Sequence, residues 1–68
     1  MDEQLIRLLE GICTSIQEAG FEPYDQLTGY LRTGNDRYIT RNGNAREQIR
    51  EIDRKSLKLY TAYLKSEK

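Results

Sequence analysis

The sequence predicts an all-α protein: a small bundle of about four short helices, forming one domain over residues 1–68. Two observations predict the helices. Apolar residues recur with a period of 3.6, and glycine, proline and asparagine fall between the periodic stretches. A third observation predicts a homodimer. A 68-residue chain buries only a thin core, and with one cysteine and no histidine it has neither an internal disulfide nor a zinc site to reinforce that core.

The first helix is predicted from about Asp2 to Ala19. Acidic Asp2 and Glu3 favour the positive end of the helix dipole. Gly20 suits the left-handed position that ends a helix. The apolar residues follow the spacing i, i+3, i+4, i+7, i+8, i+11, which gives one wide stripe. They are Leu5, Leu8, Leu9, Ile12, Cys13 and Ile16.

A second helix is predicted from about Tyr24 to Thr33. Pro23 fits its first turn and Gly34 its end. Residues 37–40 combine β-branched and aromatic side chains, but they are too few for an independent sheet. We expect an extended loop or one helical turn there. A strand that pairs with a second copy of the chain remains open.

Two further helices are predicted after the turn signal Asn42-Gly43. Asn44 is expected to cap the third helix, with Glu47 completing a capping box, and that helix should end near Asp53. The fourth should begin between Asp53 and Ser56. Since neither glycine nor proline separates the two, they could be nearly continuous.

Apolar and aromatic side chains from these segments are expected to fill the core or the dimer interface. They are Leu9, Ile12, Ile16, Tyr30, Leu31, Tyr38, Ile39, Ile49 and Ile52.

Charge is divided unevenly along the chain. Residues 1–30 hold six acids and one base, and residues 31–68 hold ten bases and five acids, so the zero net charge splits into −5 and +5. The division indicates either an acidic partner for the second half or pairing between the halves of a dimer.

A row of arginines recurs through the basic half and would align on one helix face: Arg41, Arg46, Arg50 and Arg54. The planar guanidinium matches carboxylate and phosphate, so the row is a candidate edge for docking an acidic or phosphorylated protein. Two alternatives stay open: a solvated face paired with Glu47 and Glu51, and a nucleic-acid-binding edge that also uses Tyr38. As surface residues, Arg50 and Arg54 should be replaceable within about 0.5 kcal/mol.

Catalysis finds little support in the sequence. The chain lacks histidine, the commonest general base, and lacks a glycine-rich phosphate loop. Its single cysteine, Cys13, lies on an apolar stripe. We therefore expect no enzyme, no metal and no cofactor. The acidic N-terminus and the absence of a long apolar run predict a cytoplasmic protein without a membrane segment.

One stretch carries a dense set of residue types at fixed spacing. It comprises Gly20-Phe21, Pro23, Asp25-Gln26-Leu27, Gly29-Tyr30-Leu31, Thr33-Gly34, Tyr38-Ile39-Thr40-Arg41, Ala45-Arg46, Ile49-Arg50, Ile52 and Arg54. This pattern resembles the IreB family of small proteins from Gram-positive bacteria. The resemblance implies a mostly helical homodimer that is regulatory and not enzymatic. Members of that family are targets of a membrane-anchored Ser/Thr kinase and its partner phosphatase, and they act in cell-envelope control and intrinsic antibiotic tolerance.

The arginine row matches the family's own arginines, which favours the docking edge. The chain departs from the family pattern in three places. Asn35-Asp36 replaces Asp-Pro, and Lys55 and Lys58 occupy a final helix that is acidic in the family. The predicted first helix also begins within a few residues of Met1, where the family has a flexible tail with phosphorylated threonines. We therefore expect a short member that lacks the phosphorylated tail and its kinase switch.

Overall fold

Four α-helices and two 3-10 turns make up the computed structural model, which describes residues 2–66. The helices are α1 (Glu3–Glu18), α2 (Pro23–Thr33), α3 (Ala45–Ile49) and α4 (Arg54–Ser66). The 3-10 turns, Asp36–Tyr38 and Asn42–Asn44, lie in the connection from α2 to α3. Residues 2–66 contain no strand, so the predicted all-α class with about four helices is confirmed.

Local sequence determines both ends of α1. The Asp2 carboxylate accepts a hydrogen bond from the Gln4 N–H at 3.4 Å and caps the first turn. At the other end Gly20 takes a φ of 89° and donates its N–H to the Gln17 carbonyl at 2.9 Å. The next N–H donates to the Ile16 carbonyl at 3.1 Å. This Schellman arrangement favours glycine and turns the chain toward α2.

α2 also begins and ends where the sequence predicts. Pro23 occupies the first turn, after Glu22 in an extended conformation. Gly34 takes a φ of 72° and donates its N–H to the Tyr30 carbonyl at 2.7 Å, which ends the helix. The chain then makes one 3-10 turn and becomes extended at Ile39, in agreement with the prediction for residues 37–40.

α3 begins differently from the prediction. The expected capping box is wrong, because Asn44 takes a left-handed φ of 62° and its side chain makes no capping hydrogen bond. A residue that caps the start of a helix usually has an extended backbone with a negative φ. Gly43 is left-handed as well, with a φ of 59°, so the two residues form a tight turn into the helix.

α3 also ends early, at Ile49 and not near Asp53. Three successive N–H groups, from Arg50 to Ile52, donate to carbonyls three residues back at 3.1–3.3 Å. This tighter pattern closes the helix without glycine or proline. The Asp53 carboxylate then accepts the Ser56 N–H at 3.0 Å and starts α4. That hydrogen bond is the main cause of the lowered pKa of Asp53.

The apolar faces of the helices meet in one core. Its buried members are Leu9, Ile12, Cys13, Ile16, Leu27, Ile39, Ala45, Ile49, Ile52, Leu57 and Tyr60, with Tyr30 and Leu31 partly buried against them. Tyr38, expected in the core or the dimer interface, lies outside the core of the single chain with 49% of its surface exposed, and its place in a dimer interface stays a prediction. Its ring covers Gly29 instead: a Cβ at Gly29 would lie 2.7 Å from the Tyr38 ring.

Candidate functional site

The four predicted partner-binding arginines do not share one helix face. Arg46 lies on α3, Arg50 follows it, Arg54 begins α4, and Arg41 precedes the second 3-10 turn. The predicted row required a continuous helix, and the break at residues 50–53 removes it. The fold brings Arg41, Arg46 and Arg50 together at one groove and places Arg54 at another.

Arg46 is half-buried and bonds the backbone of the connection that follows α2. Its Nε donates to the Ile39 carbonyl at 2.9 Å, and a terminal nitrogen donates to the Arg37 carbonyl at 3.5 Å. These carbonyls lie in a segment without regular secondary-structure partners, so the guanidinium supplies the donors that they need. Arg46 therefore holds residues 37–39 against α3.

Arg50 pairs with a carboxylate in the same connection. Its Nε donates to the Asp36 Oδ2 at 2.6 Å, and a terminal nitrogen forms an ion pair with the same oxygen. The Arg50 side chain is 60% exposed and that of Asp36 25% exposed. The pair fixes the end of α3 to the first 3-10 turn while leaving much of the guanidinium at the surface.

Arg54 bonds the C-terminal end of α2. A terminal nitrogen donates to the Leu31 carbonyl, one of the last carbonyls of that helix. Such carbonyls lack a partner within the helix, and a cation beside them also favours the negative end of the dipole. Arg54 thus joins the start of α4 to the end of α2.

These contacts change the expected result of replacing Arg50 and Arg54. The limit of about 0.5 kcal/mol applies to surface side chains without specific partners. Each of the two instead satisfies an acceptor of its own chain. Because both bonds lie at the exposed surface, removing the donor should cost about 0.5–1.5 kcal/mol, the net contribution of a typical hydrogen bond.

Arg41 differs from the other three arginines. Its guanidinium is exposed and forms neither a hydrogen bond nor an ion pair with any group in residues 2–66. It borders a groove of about 430 Å³ together with Asn44, Arg46, Glu47 and Arg50. Of the described residues that line this groove, Glu47 alone is acidic, so the groove carries a positive balance.

This arginine groove contains N–H donors that are bonded to the chain itself and others that are free to bind a ligand. A guanidinium has five N–H donors in a planar fork, and Arg46 and Arg50 use only some of theirs on their own chain. Their remaining donors stay at the groove in positions held by those bonds. A carboxylate or phosphate entering beside Arg41 would therefore meet donors that are largely ordered in advance.

A comparison with protein families identifies the family of the chain. Residues 1–65 of the 68-residue chain match the family model of the IreB regulatory phosphoproteins. The chain belongs to the IreB family. The match confirms the resemblance and extends it through α1 and most of α4. IreB proteins are regulatory phosphoproteins, which indicates a regulatory role for this member.

Sequence reasoning missed two side chains that position the arginine groove in this IreB protein. The Gln26 Oε1 accepts the Thr40 N–H at 2.9 Å, and the Asn42 Nδ2 donates to the Ser15 carbonyl at 2.8 Å. These bonds hold the connection beside α2 and α1. The turn signal at Asn42 was visible in the sequence, but nothing there indicates which helix its side chain reaches.

Cys13 and Tyr60 form a polar contact within the core of this chain, with the Cys13 Sγ 3.9 Å from the Tyr60 hydroxyl. Burial is the main cause of a raised pKa at both the thiol and the phenol. A buried thiol held in its neutral form is a poor nucleophile. The pair therefore packs the core and shows no feature of a reactive site.

Within residues 2–66, no helix combines the length and the apolar character needed to cross a membrane.

Proposed function

We propose that this IreB protein is a non-enzymatic regulatory adaptor that docks an acidic or phosphorylated protein partner. The docking surface is the arginine groove, which comprises Arg41, Arg46 and Arg50, whereas Arg54 lines a different groove. The family favours control of the cell envelope through a Ser/Thr kinase as the setting. Family membership supports the regulatory role, and the arginine groove supports the chemistry of the partner.

One observation carries the proposal: Arg41 is exposed and has no acceptor among residues 2–66, while its neighbours are anchored. An arginine that only maintained the fold would be expected to bond its own chain, as Arg46 does. Charge-assisted hydrogen bonds to carboxylate or phosphate are about twice as strong as neutral ones. Replacing Arg41 should therefore weaken partner binding without destabilising the fold.

The test is affinity capture from the native cell with quantitative mass spectrometry, using wild-type protein, Arg41→Ala and Arg7→Ala. Arg7 is the matched control, since it is an exposed arginine on α1, paired with Glu3 at 3.0 Å and remote in sequence from the groove. We expect Arg41→Ala to lose a specific protein partner by at least about tenfold, and Arg7→Ala to retain it. Equal capture by both variants would contradict the proposal.

The same experiment distinguishes a nucleic-acid partner. Nuclease treatment before capture should leave the amount of bound protein unchanged if the partner is an acidic protein. Capture that disappears after nuclease, and that weakens steeply with salt in the wild type, would instead assign the groove to a nucleic-acid backbone.

Self-association is a second proposed interaction, and an apolar patch on α4 supports it. Leu59 and Tyr63 lie four residues apart on one face, with 59% and 55% of their surfaces exposed. Leu9, Ile12 and Ile16 are fully buried within one chain, so a dimer would use this outer face and not the predicted inner stripe. We propose that a second copy of the chain covers the Leu59–Tyr63 patch.

Sedimentation equilibrium tests the dimer. The wild type should sediment as a dimer and Leu59→Glu as a monomer, because a carboxylate at the interface would be buried without a partner. Lys65→Glu, an exposed change on the same helix, should remain dimeric. A wild-type chain that is monomeric at high concentration would contradict self-association without affecting the arginine groove.

A further inference from the structure

A second groove lies between α2 and α4, apart from the arginine groove. It has a volume of about 580 Å³. Its lining residues are Thr28, Leu31 and Arg32 from α2, and Arg54, Lys55 and Lys58 from α4. Four of these six side chains are cationic, and no carboxylate belongs to the described residues that line the groove.

The cations of this groove form no ion pair within residues 2–66. The ion pairs found in residues 2–66 are Arg7–Glu3 and Arg50–Asp36, so neither involves a lining residue. Asp53 is the nearest acid in sequence, and Lys55 contributes in a minor way to its lowered pKa. That carboxylate accepts the Ser56 N–H as the cap of α4 and is therefore already bonded.

The placement of two of these cations is unfavourable in the free protein. Arg54 and Lys55 lie in the first turn of α4, and that turn contains no acidic residue. The positive end of a helix dipole repels cations and attracts anions. Arg54 gains a compensating bond to the Leu31 carbonyl, whereas Lys55 has no such contact among residues 2–66. The Asp53 carboxylate at the cap offsets part of this repulsion, and a bound anion would offset more of it.

The groove has room for a small molecule. Its volume is within the range of small-molecule sites, about 300–1,000 Å³. Leu31 and the methylene groups of the lysine and arginine side chains form the apolar part of its wall. A single phosphate carries about −1.5 to −2 charges and would neutralise only half of the cations. Two adjacent phosphoryl groups would match the charge of all four cations.

From these observations we propose that the α2–α4 groove binds a small molecule with a diphosphate group, held by Arg32, Lys55, Lys58 and Arg54. The diphosphate can be inorganic pyrophosphate or the diphosphate of a nucleotide. In the second case the apolar wall at Leu31 would contact the nucleoside. This site is independent of the arginine groove proposed for the protein partner.

Isothermal titration calorimetry of the full chain, in buffer free of divalent cations, tests the proposal with pyrophosphate, ADP and orthophosphate. We expect pyrophosphate to bind at least about tenfold tighter than orthophosphate, because the second phosphoryl group adds charge-assisted hydrogen bonds. ADP that binds as tightly as pyrophosphate, or more tightly, assigns a nucleotide. ADP that binds more weakly assigns the inorganic anion.

The matched variants are Lys58→Gln and Lys65→Gln, which remove the same charge from the same helix inside and outside the groove. Lys58→Gln should weaken pyrophosphate binding by about fivefold or more, and Lys65→Gln by less than about twofold. Equal losses in the two variants, or no preference of the wild type for pyrophosphate over orthophosphate, would overturn the proposal. Circular dichroism of both variants confirms that each is folded.

Discussion

The helical core and the connection from α2 to α3 are held in place by different interactions. The helices pack through aliphatic side chains such as Leu9, Leu27 and Leu57, none of which is exposed. The connection buries only Ile39 and depends on side-chain hydrogen bonds to its backbone, above all from Arg46. Burial acts without direction, whereas these hydrogen bonds need one donor in one position.

The difference matters because the candidate functional surface lies on the connection. The arginines that could bind a partner also hold the segment that carries the surface. A partner that draws donors away from the Asp36 carboxylate or the Ile39 carbonyl would loosen the connection, while one that uses only the spare donors would leave it in place. Variants that separate folding from binding can therefore show which of these occurs.

The largest expected effect comes from the core. Leu27→Ala removes a fully buried side chain and should lower the free energy of unfolding by about 2–5 kcal/mol. For a 68-residue chain this approaches the total stability. Urea denaturation followed by circular dichroism measures the loss. The control is Leu59→Ala, an exposed leucine on α4, which should change stability by about 0.5 kcal/mol or less in the monomer.

The next effect tests the connection. Arg46→Ala should lower the free energy of unfolding by about 1–3 kcal/mol, because the Ile39 carbonyl loses its donor. Arg41→Ala removes an identical side chain without a partner in residues 2–66 and should stay within about 0.5 kcal/mol. Hydrogen exchange should show faster exchange near residues 36–40 in the first variant alone. Equal stability of the two would contradict the role given to Arg46.

The difference between the core and the connection also explains which parts of the structure could be predicted from the sequence. α1 and α2 were predictable because apolar periodicity, Pro23, Gly20 and Gly34 are local signals that the core reinforces. The capping of α3 was not, since Gly43 and Asn44 adopt left-handed conformations that oppose Asn44 acting as a cap. Tertiary packing decided the outcome there.

The candidate sites were predictable only in part. The residue types of the arginine groove were visible, but the four-residue spacing wrongly indicated one continuous helix face. The α2–α4 groove was not visible, because Arg32 and Lys55 are far apart in the sequence and only the fold brings them to one surface. The sequence shows which residues are charged. The acceptors that those side chains bond depend on the tertiary structure.

A smaller effect is expected where the connection packs against α2, at the contact between Tyr38 and Gly29. Gly29→Ala would place a Cβ 2.7 Å from the Tyr38 ring, whereas a Cβ at Gly11, also within a helix, meets open space. Gly11→Ala should raise stability by up to about 1 kcal/mol through helix propensity. Gly29→Ala should lack that gain, because the ring must shift. In a Tyr38→Ala background Gly29→Ala should become as favourable as Gly11→Ala. If it does not, the ring is not the obstacle.

The smallest effect at neutral pH concerns the polar pair within the core. Burial raises the pKa of the Cys13 thiol above its ordinary 9.0 and also raises the pKa of the Tyr60 phenol. The folded state therefore holds these protons more tightly than the unfolded chain does. That contribution to stability is fully present below about pH 9 and is lost as the pH rises through the folded pKa values.

Urea midpoints measured from about pH 7 to pH 10.5 test this linkage. The wild-type midpoint should decline above about pH 9. Cys13→Ala should be less stable at neutral pH but decline less between about pH 9 and pH 10, and Tyr38→Phe, at a half-exposed ring outside the pair, should decline as the wild type does. Parallel curves for Cys13→Ala and wild type would contradict the assignment. Alkaline pH therefore weakens the core through the protons that the buried Cys13 and Tyr60 hold in the folded state.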